Sequence, residues 1–420
     1  MLDRTSAPPV QKISKIDFQK AEHTRLSNGI PLHIINAGAH DIVSIEIILK
    51  SGKWFEPENG ISHFTSKMLL EGTSKHSSNE IAKIFEFNGV HLIISPGIDF
   101  VSIIVYAVNS KLPEVLNIIR DCILIPTFPE DELKVMMDIQ KQQLRVNEAK
   151  NSYVAGREIR KLLFGKAHPY GRLLSIQDIE ENINIKNLKN YYENRLLNKI
   201  EIIISGNIND YILKTLDVFS ILPNDEFFGI DHPDISVKNN KVFEERPESL
   251  QSSIRIGRKT IPKTHPDYIG LIVLNEVFGG FFGSRLMANI REDKGYTYGV
   301  HSSLISLQHD DYLVIGTDVK KEYAEKTVEE IFKEAQKLID TPIIQDELDL
   351  VKNHLLGNFL SSLETSFSLA EKFKNIYLSG MDYGFYDQYI DTIHSIKASE
   401  LQALANTYLQ PSAFSQVRVG

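Results

Sequence analysis

Two segments carry side chains whose types and spacing suit chemistry. The first runs Gly60-Ile61-Ser62-His63-Phe64-Thr65-Ser66-Lys67-Met68-Leu69-Leu70-Glu71-Gly72-Thr73. His63 and Lys67 stand four apart and share one helix face, while Phe64 and Met68 share another that suits a core. A lone imidazole there reads either as a ligand or as an ordinary hydrogen-bonded or surface histidine. A charged Lys67 opposes a nearby cation. Two unit charges about 4 Å apart cost roughly 4 kcal/mol at an effective dielectric near 20, and a divalent ion doubles that.

The second segment spans residues 274–300 and includes Phe278-Gly279-Gly280-Phe281-Phe282-Gly283-Ser284-Arg285-Leu286 and Ile290-Arg291-Glu292-Asp293-Lys294-Gly295-Tyr296-Thr297-Tyr298. Its glycines follow a helical pattern, not a strand, and no G-K-[ST] ending is present, which argues against a P-loop. Arg291 offers a permanently charged planar fork and Tyr298 a neutral hydroxyl donor. Both suit a carbonyl oxygen that gains charge. Their spacing, 298 − 291 = 7, puts them on one helix face; if Gly295 ends the helix, Tyr298 opens the next strand instead. Taken alone, Arg291 also reads as an ion-pair partner of Glu292 or Asp293, and Tyr298 as an ordinary strand aromatic. His76, His91 and His301 lack metal-ligand spacing, and Arg285 reads as structural.

The elements that must position these groups follow one plan used twice. Residues 42–49 form an apolar, β-branched strand, a helix runs from about Ser62, its expected N-cap, to Glu71, and Gly72 stops it. Strand patterns at 91–95 and 100–108 precede a helix near Ser110. The second half repeats the order, with a strand at 252–257, a helix at 268–278, paired strands at 298–306 and 311–319, and a long amphipathic helix at 322–339. The stretch 223–249, rich in Asp, Asn, Pro and Glu, is the expected linker, which gives domains at 1–222 and 250–420. Strands and helices mix without strict alternation, so the fold class is α+β: two similar domains, each a mostly antiparallel sheet with helices packed on one face.

The 420 residues carry 46 Lys and Arg against 55 Asp and Glu, a net charge of −9. That balance argues against a general phosphate-backbone binder and hence against nucleic acid as a partner. No window approaches the roughly 20 apolar residues that span a bilayer, and the first residues lack a secretory apolar core, so the expected compartment is the cytoplasm. The single cysteine, Cys122, lies in an apolar run and reads as a buried, inert thiol.

These segments together resemble the pitrilysin-type zinc peptidases, the inverzincins, over residues 25 to 410. The family's zinc helix carries H-x-x-E-H, in which two histidines share the ion and the glutamate is the general base. In this sequence only His63 remains of it. Ser66 stands at the base position, Lys67 at the second ligand and Gln143 at the third, 143 − 63 = 80 residues beyond His63. The second-half block of L-N-x-x-x-G-G, S-R-L and R-E-x-x-G-x-x-Y is kept whole. In the family its Arg and Tyr, here Arg291 and Tyr298, bind substrate backbone and stabilise the tetrahedral intermediate.

The resemblance thus implies a zinc-free, non-catalytic subunit. It would lend Arg291 and Tyr298 to a partner that carries H-x-x-E-H and holds the zinc, and act on an extended peptide. Two alternatives accompany it: a structural, core-type subunit without catalysis, and a zinc metalloendopeptidase in its own right.

Overall fold

Continuous β-branched runs make strands that are covered on both faces, and Ile42–Leu49 is of that kind, buried almost along its whole length. The computed structural model describes residues 18–225, 232 and 240–420. Residues 1–17, on which part of the compartment expectation rests, and most of 226–239 within the expected linker lie outside the described residues. The first sheet contains β1 (Glu22–Arg25), β2 (Pro31–Asn36), β3 (Ile42–Leu49), β4 (His91–Pro96), β5 (Val101–Val108) and β6 (Ile200–Gly206). Its order is β1-β2-β6-β3-β5-β4, antiparallel except for β2 with β6.

The second sheet contains β7 (Lys241–Glu244), β8 (Gln251–Thr260), β9 (Thr297–Ser306), β10 (Asp311–Lys320) and β11 (Ser415–Val419), in the order β7-β11-β8-β10-β9. Only β7 with β11 is parallel. Without β1 the two orders and directions coincide, as the repeated sequence plan requires. The fold is two α+β halves. Strand β7 falls inside the stretch read as a linker, and Arg246 donates to the carbonyls of Glu148 and Ala149 at 3.0 and 3.2 Å. The later part of that stretch is therefore sheet edge and anchored turn.

Each half packs its own helices on one face of its sheet, around separate apolar cores. On the opposite face each sheet accepts a helix from the other half. The helix Asn151–Phe164 sets Ala155, Ile159 and Leu163 against Val417 and Val419 of β11, beside Trp54. The helix Ser366–Tyr377 sets Phe373 against Ile35, Ile48 and Ile203 of the first sheet. There Lys374 reaches the carboxylate of Glu46, a buried charge in the middle of β3, at 3.0 Å. Burying a carboxylate without such a partner is costly.

The halves are also latched by backbone. Tyr170 donates its hydroxyl to Asp99 at 2.7 Å, and Asp99 accepts the Gln308 amide at 3.2 Å. The His309 amide donates to the Tyr170 oxygen at 3.1 Å, and the His309 ring stacks on Trp54. Tyr170→Phe removes the hydrogen bond to one oxygen of the buried Asp99 and takes the Tyr170 oxygen away from the His309 amide. It is expected to lower unfolding free energy by about 2–3 kcal/mol. Urea titration checks this: the midpoint should fall with the slope unchanged, and an unmoved midpoint contradicts the latch.

Candidate functional site

The helix that carries His63 is short, Ile61–Lys67, and Gly60 precedes it with φ 94°, in the left-handed region that favours glycine. Ser62, expected as its N-cap, lies inside the helix and donates its hydroxyl to the Ser51 carbonyl at 2.8 Å. The cap is Glu56 instead. Its carboxylate accepts the amides of Gly60 and Ser62 at 3.1 and 3.0 Å, and Arg172 fixes it from the other side at 3.1 Å. The helix expected near Ser110 is Leu112–Leu124, and Ser110 itself sits in a 3-10 turn, Asn109–Lys111, ahead of it.

On this helix the expected zinc positions serve other contacts. Ser66 is fully buried and donates its hydroxyl back to the Ser62 carbonyl at 2.7 Å. Lys67 donates its ammonium to the Ile94 carbonyl of β4 at 2.6 Å. Burial, followed by the Lys67 charge, pushes the His63 imidazole down to about 4, so it is neutral at pH 7. Gln143 lies on the helix Glu130–Glu148, exposed, and donates to Asn147 at 3.1 Å.

Zinc prefers two imidazoles and a carboxylate, or thiolates, around one point. One imidazole beside a bound ammonium, with an inward hydroxyl and a surface amide, does not fit it. Among the described residues, no group of three or more His, Cys, Asp or Glu is placed to hold a metal ion. The Cys122 thiol is buried and pushed up to about 12, so it is the inert group its sequence suggests.

The second-half block is organised differently. The helix Tyr268–Asn275 runs into a π-helical turn, Glu276–Gly280. A Cβ on Gly279 would meet the Ser302 hydroxyl at 2.7 Å and its amide nitrogen at 2.9 Å, so the close approach of that turn to β9 requires glycine. Arg285 forms a two-pronged pair with Glu347 at 2.8 and 2.9 Å and is structural. Arg291 lies on the turn Met287–Asp293, and Gly295, with φ 62°, ends it. Tyr298 therefore belongs to β9, the second of the two expected placements.

Pairing of β9 with β10 steps from Val300↔Thr317 to Thr297↔Val319, three residues against two. Tyr298 and Gly299 thus share one partner, Asp318. Such a bulge re-aims a side chain, and Tyr298 is 93% exposed. The hydroxyls of Thr297 and Thr317, 2.9 Å apart, both donate to the Gly299 carbonyl and brace the bulge.

The Arg291 guanidinium lies 5.5 Å from the Tyr298 ring centre and 4.5 Å from that of Phe282. It takes part in no hydrogen bond or ion pair among the described residues, while Asp293 pairs with Lys294. Phe282 and Tyr298 border a cavity of about 500 Å³, together with Gly280, Arg255, His301 and Asp318. Arg255 stands 3.5 Å from Asp318. Burial, then the Arg255 charge, lowers the His301 pKa, so that ring is neutral at pH 7. The site offers a guanidinium held only by aromatic faces, a solvent-facing phenol and a neutral imidazole. Such a set donates hydrogen bonds to carbonyl or carboxylate oxygen. It has no nucleophile–base pair. Sequence reasoning missed Arg255 and Asp318 and set His301 aside for want of metal-ligand spacing; the three lie on three strands of ordinary composition and meet only through the sheet register.

Residues 33–168 match the family model for insulinase (peptidase family M16), and residues 182–355 match the one for the peptidase M16 inactive domain. The chain belongs to peptidase family M16. A Bacillus subtilis (strain 168) protein named "Uncharacterized zinc protease YmxG" is 26% identical over 90% of this chain and 93% of its own length. A Helicobacter pylori (strain ATCC 700392 / 26695) protein named "Non-peptidase homolog YmxG" is 23% identical over 85% and 84%. Among solved structures, the peptidase M16 inactive domain from Pseudomonas fluorescens superposes with a TM-score of 0.85 at 21% identity, covering 95% of this chain and 98% of that one. Among the described residues of this chain, no helix is long and apolar enough to cross a membrane.

The neutral His63 has a consequence for stability. Its folded pKa, about 4, lies below the ordinary 6.5, so between those values the unfolded chain binds a proton that the folded chain refuses. Stability from this residue is complete above pH 6.5 and falls as pH drops toward 4, by on the order of 2–3 kcal/mol. In urea titrations at pH 7.5 and 4.5, His63→Gln should reduce the acid loss by that amount. An unchanged acid loss contradicts the assignment.

Proposed function

We propose that this chain is the zinc-free subunit of a heterodimeric M16 peptidase, supplying Arg291 and Tyr298 to a partner subunit that carries H-x-x-E-H and the zinc. The observation that carries the reading is asymmetry within one chain. In the first half Ser66 and Lys67 are tied to backbone carbonyls, whereas Arg291 and Tyr298 are held out on a glycine-ended turn and a braced bulge. A surface tyrosine left 93% exposed does little for the fold. An extended peptide fits the donors: its carbonyls meet the guanidinium and phenol, and its side chains meet the aromatic border of the cavity. A cytoplasmic setting belongs to the same proposal.

Donors of this kind are commonly worth about 3–4 kcal/mol each when aimed at a developing oxyanion, or roughly 10²–10³ in kcat. Mixing this chain with an M16 protein that carries H-x-x-E-H should raise peptide hydrolysis by the pair. Arg291→Ala and Tyr298→Phe should each lower that kcat by about 10²-fold, with co-elution of the two subunits on gel filtration unchanged. Full activity in both variants would favour a structural subunit. Hydrolysis and stoichiometric zinc in this chain alone would favour an independent peptidase.

A further inference from the structure

Lys67 does more than displace a ligand, because its carbonyl partner lies on the open edge of the first sheet. Among the described residues, strand β4 ends the sheet and pairs with β5 alone. At the hairpin Gly97 donates to the Phe100 carbonyl at 2.8 Å, and the register continues through Ser95↔Ser102, Ile94↔Ile103 and Leu92↔Val105. Antiparallel pairs alternate between bonded and non-bonded. Ser95, Ile93 and His91 therefore turn their backbone groups toward β5, and Pro96, Ile94 and Leu92 turn theirs outward. Pro96, which has no N–H, sits where none is needed. The Ile94 carbonyl that Lys67 occupies at 2.6 Å is one of these outward groups.

The second half does the same with a different side chain. There Leu307 donates to the Asp310 carbonyl, and alternation turns the backbone of Ser302 and Val300 outward from β9. Asn275 donates its side-chain amide to the Ser302 carbonyl at 3.3 Å. Asn275 stands five residues before Gly280, as Lys67 stands five before Gly72. Equivalent helix positions in the two halves thus occupy outward carbonyls of equivalent edge strands. Beside β4 there is also room: a groove of about 440 Å³ is lined by Leu70, Phe85, Val90, His91 and Leu92.

We infer that Lys67 is an edge lock, closing β4 to strand addition by an extended polypeptide. An unlocked edge strand is a template for pairing with another chain, and a lysine placed on it is an effective block. The lock acts in the first half and is independent of Arg291 and Tyr298, so its test and the test of the subunit role fail separately.

The test uses the full chain and a fluorescein-labelled octapeptide of alternating threonine and valine, flanked by lysines. Lys67→Met should bind this probe roughly ten- to a hundredfold more tightly than the wild type by anisotropy, the worth of about one charge-assisted hydrogen bond. The Leu92 and Ile94 amides should gain protection from hydrogen exchange only when the probe is present. Adding Leu92→Pro removes an outward N–H that the ladder does not use, and should abolish the gain while thermal unfolding shows a folded chain. Should Lys67→Met unfold, Lys67→Ala carries the same expectation. Binding no tighter than wild type in the folded variant overturns the lock, as does a gain that survives Leu92→Pro.

Discussion

A half-buried lysine gains by placing its ammonium on an acceptor, and for Lys67 the acceptor is the Ile94 carbonyl. Much follows from that bond. It sets a positive charge one helical turn from His63, which together with burial keeps the imidazole neutral. A cation at this point would meet the ammonium before it met any carboxylate, since none stands at position 66 or 143. Ser66 is turned inward and donates its hydroxyl to the Ser62 carbonyl of its own helix.

The second half is held in place by reciprocal exchange. Each sheet is closed on its far face by a helix from the other, so neither half could keep its strands dry alone. The 151–164 helix covers the end of the second sheet near Gly257 and β11, and leaves open the end where Arg255, His301 and Asp318 border the cavity. The cavity is therefore a stretch of sheet face that the exchanged helix does not reach, edged by a glycine-rich turn and a bulge. Rigid strands beneath it and a braced tyrosine at its rim suit a site that positions a chain without cutting it.

Much of this was legible in the sequence, and the reasons differ by element. The duplicated plan could be read because strand and helix periods recur in the same order, and the Arg291–Tyr298 block because turn, glycine and donor are local to one another. That the Ser66 hydroxyl is no general base and the Gln143 amide a poor zinc ligand follows from residue type once the family resemblance places them. The capping role of Glu56 could not be read, since Ser62 is the better local cap and the tertiary pair with Arg172 decides otherwise. The strand at 241–244 was hidden by polar neighbours, and its partner lies at the far end of the chain. The bulge, and the gathering of Arg255, His301 and Asp318, arise from register across three strands, which no single segment encodes. Lys67 was visible as an obstacle to zinc, but its carbonyl partner 27 residues away was not.

The central claim is that the first-half donors cannot hold the family's metal, and zinc content measures it most directly. The purified chain is dialysed to equilibrium against micromolar zinc at pH 7.5, washed, and its metal counted by mass spectrometry. The account predicts well under one zinc per chain, unaltered by His63→Ala. One zinc per chain, lost on His63→Ala, would contradict it.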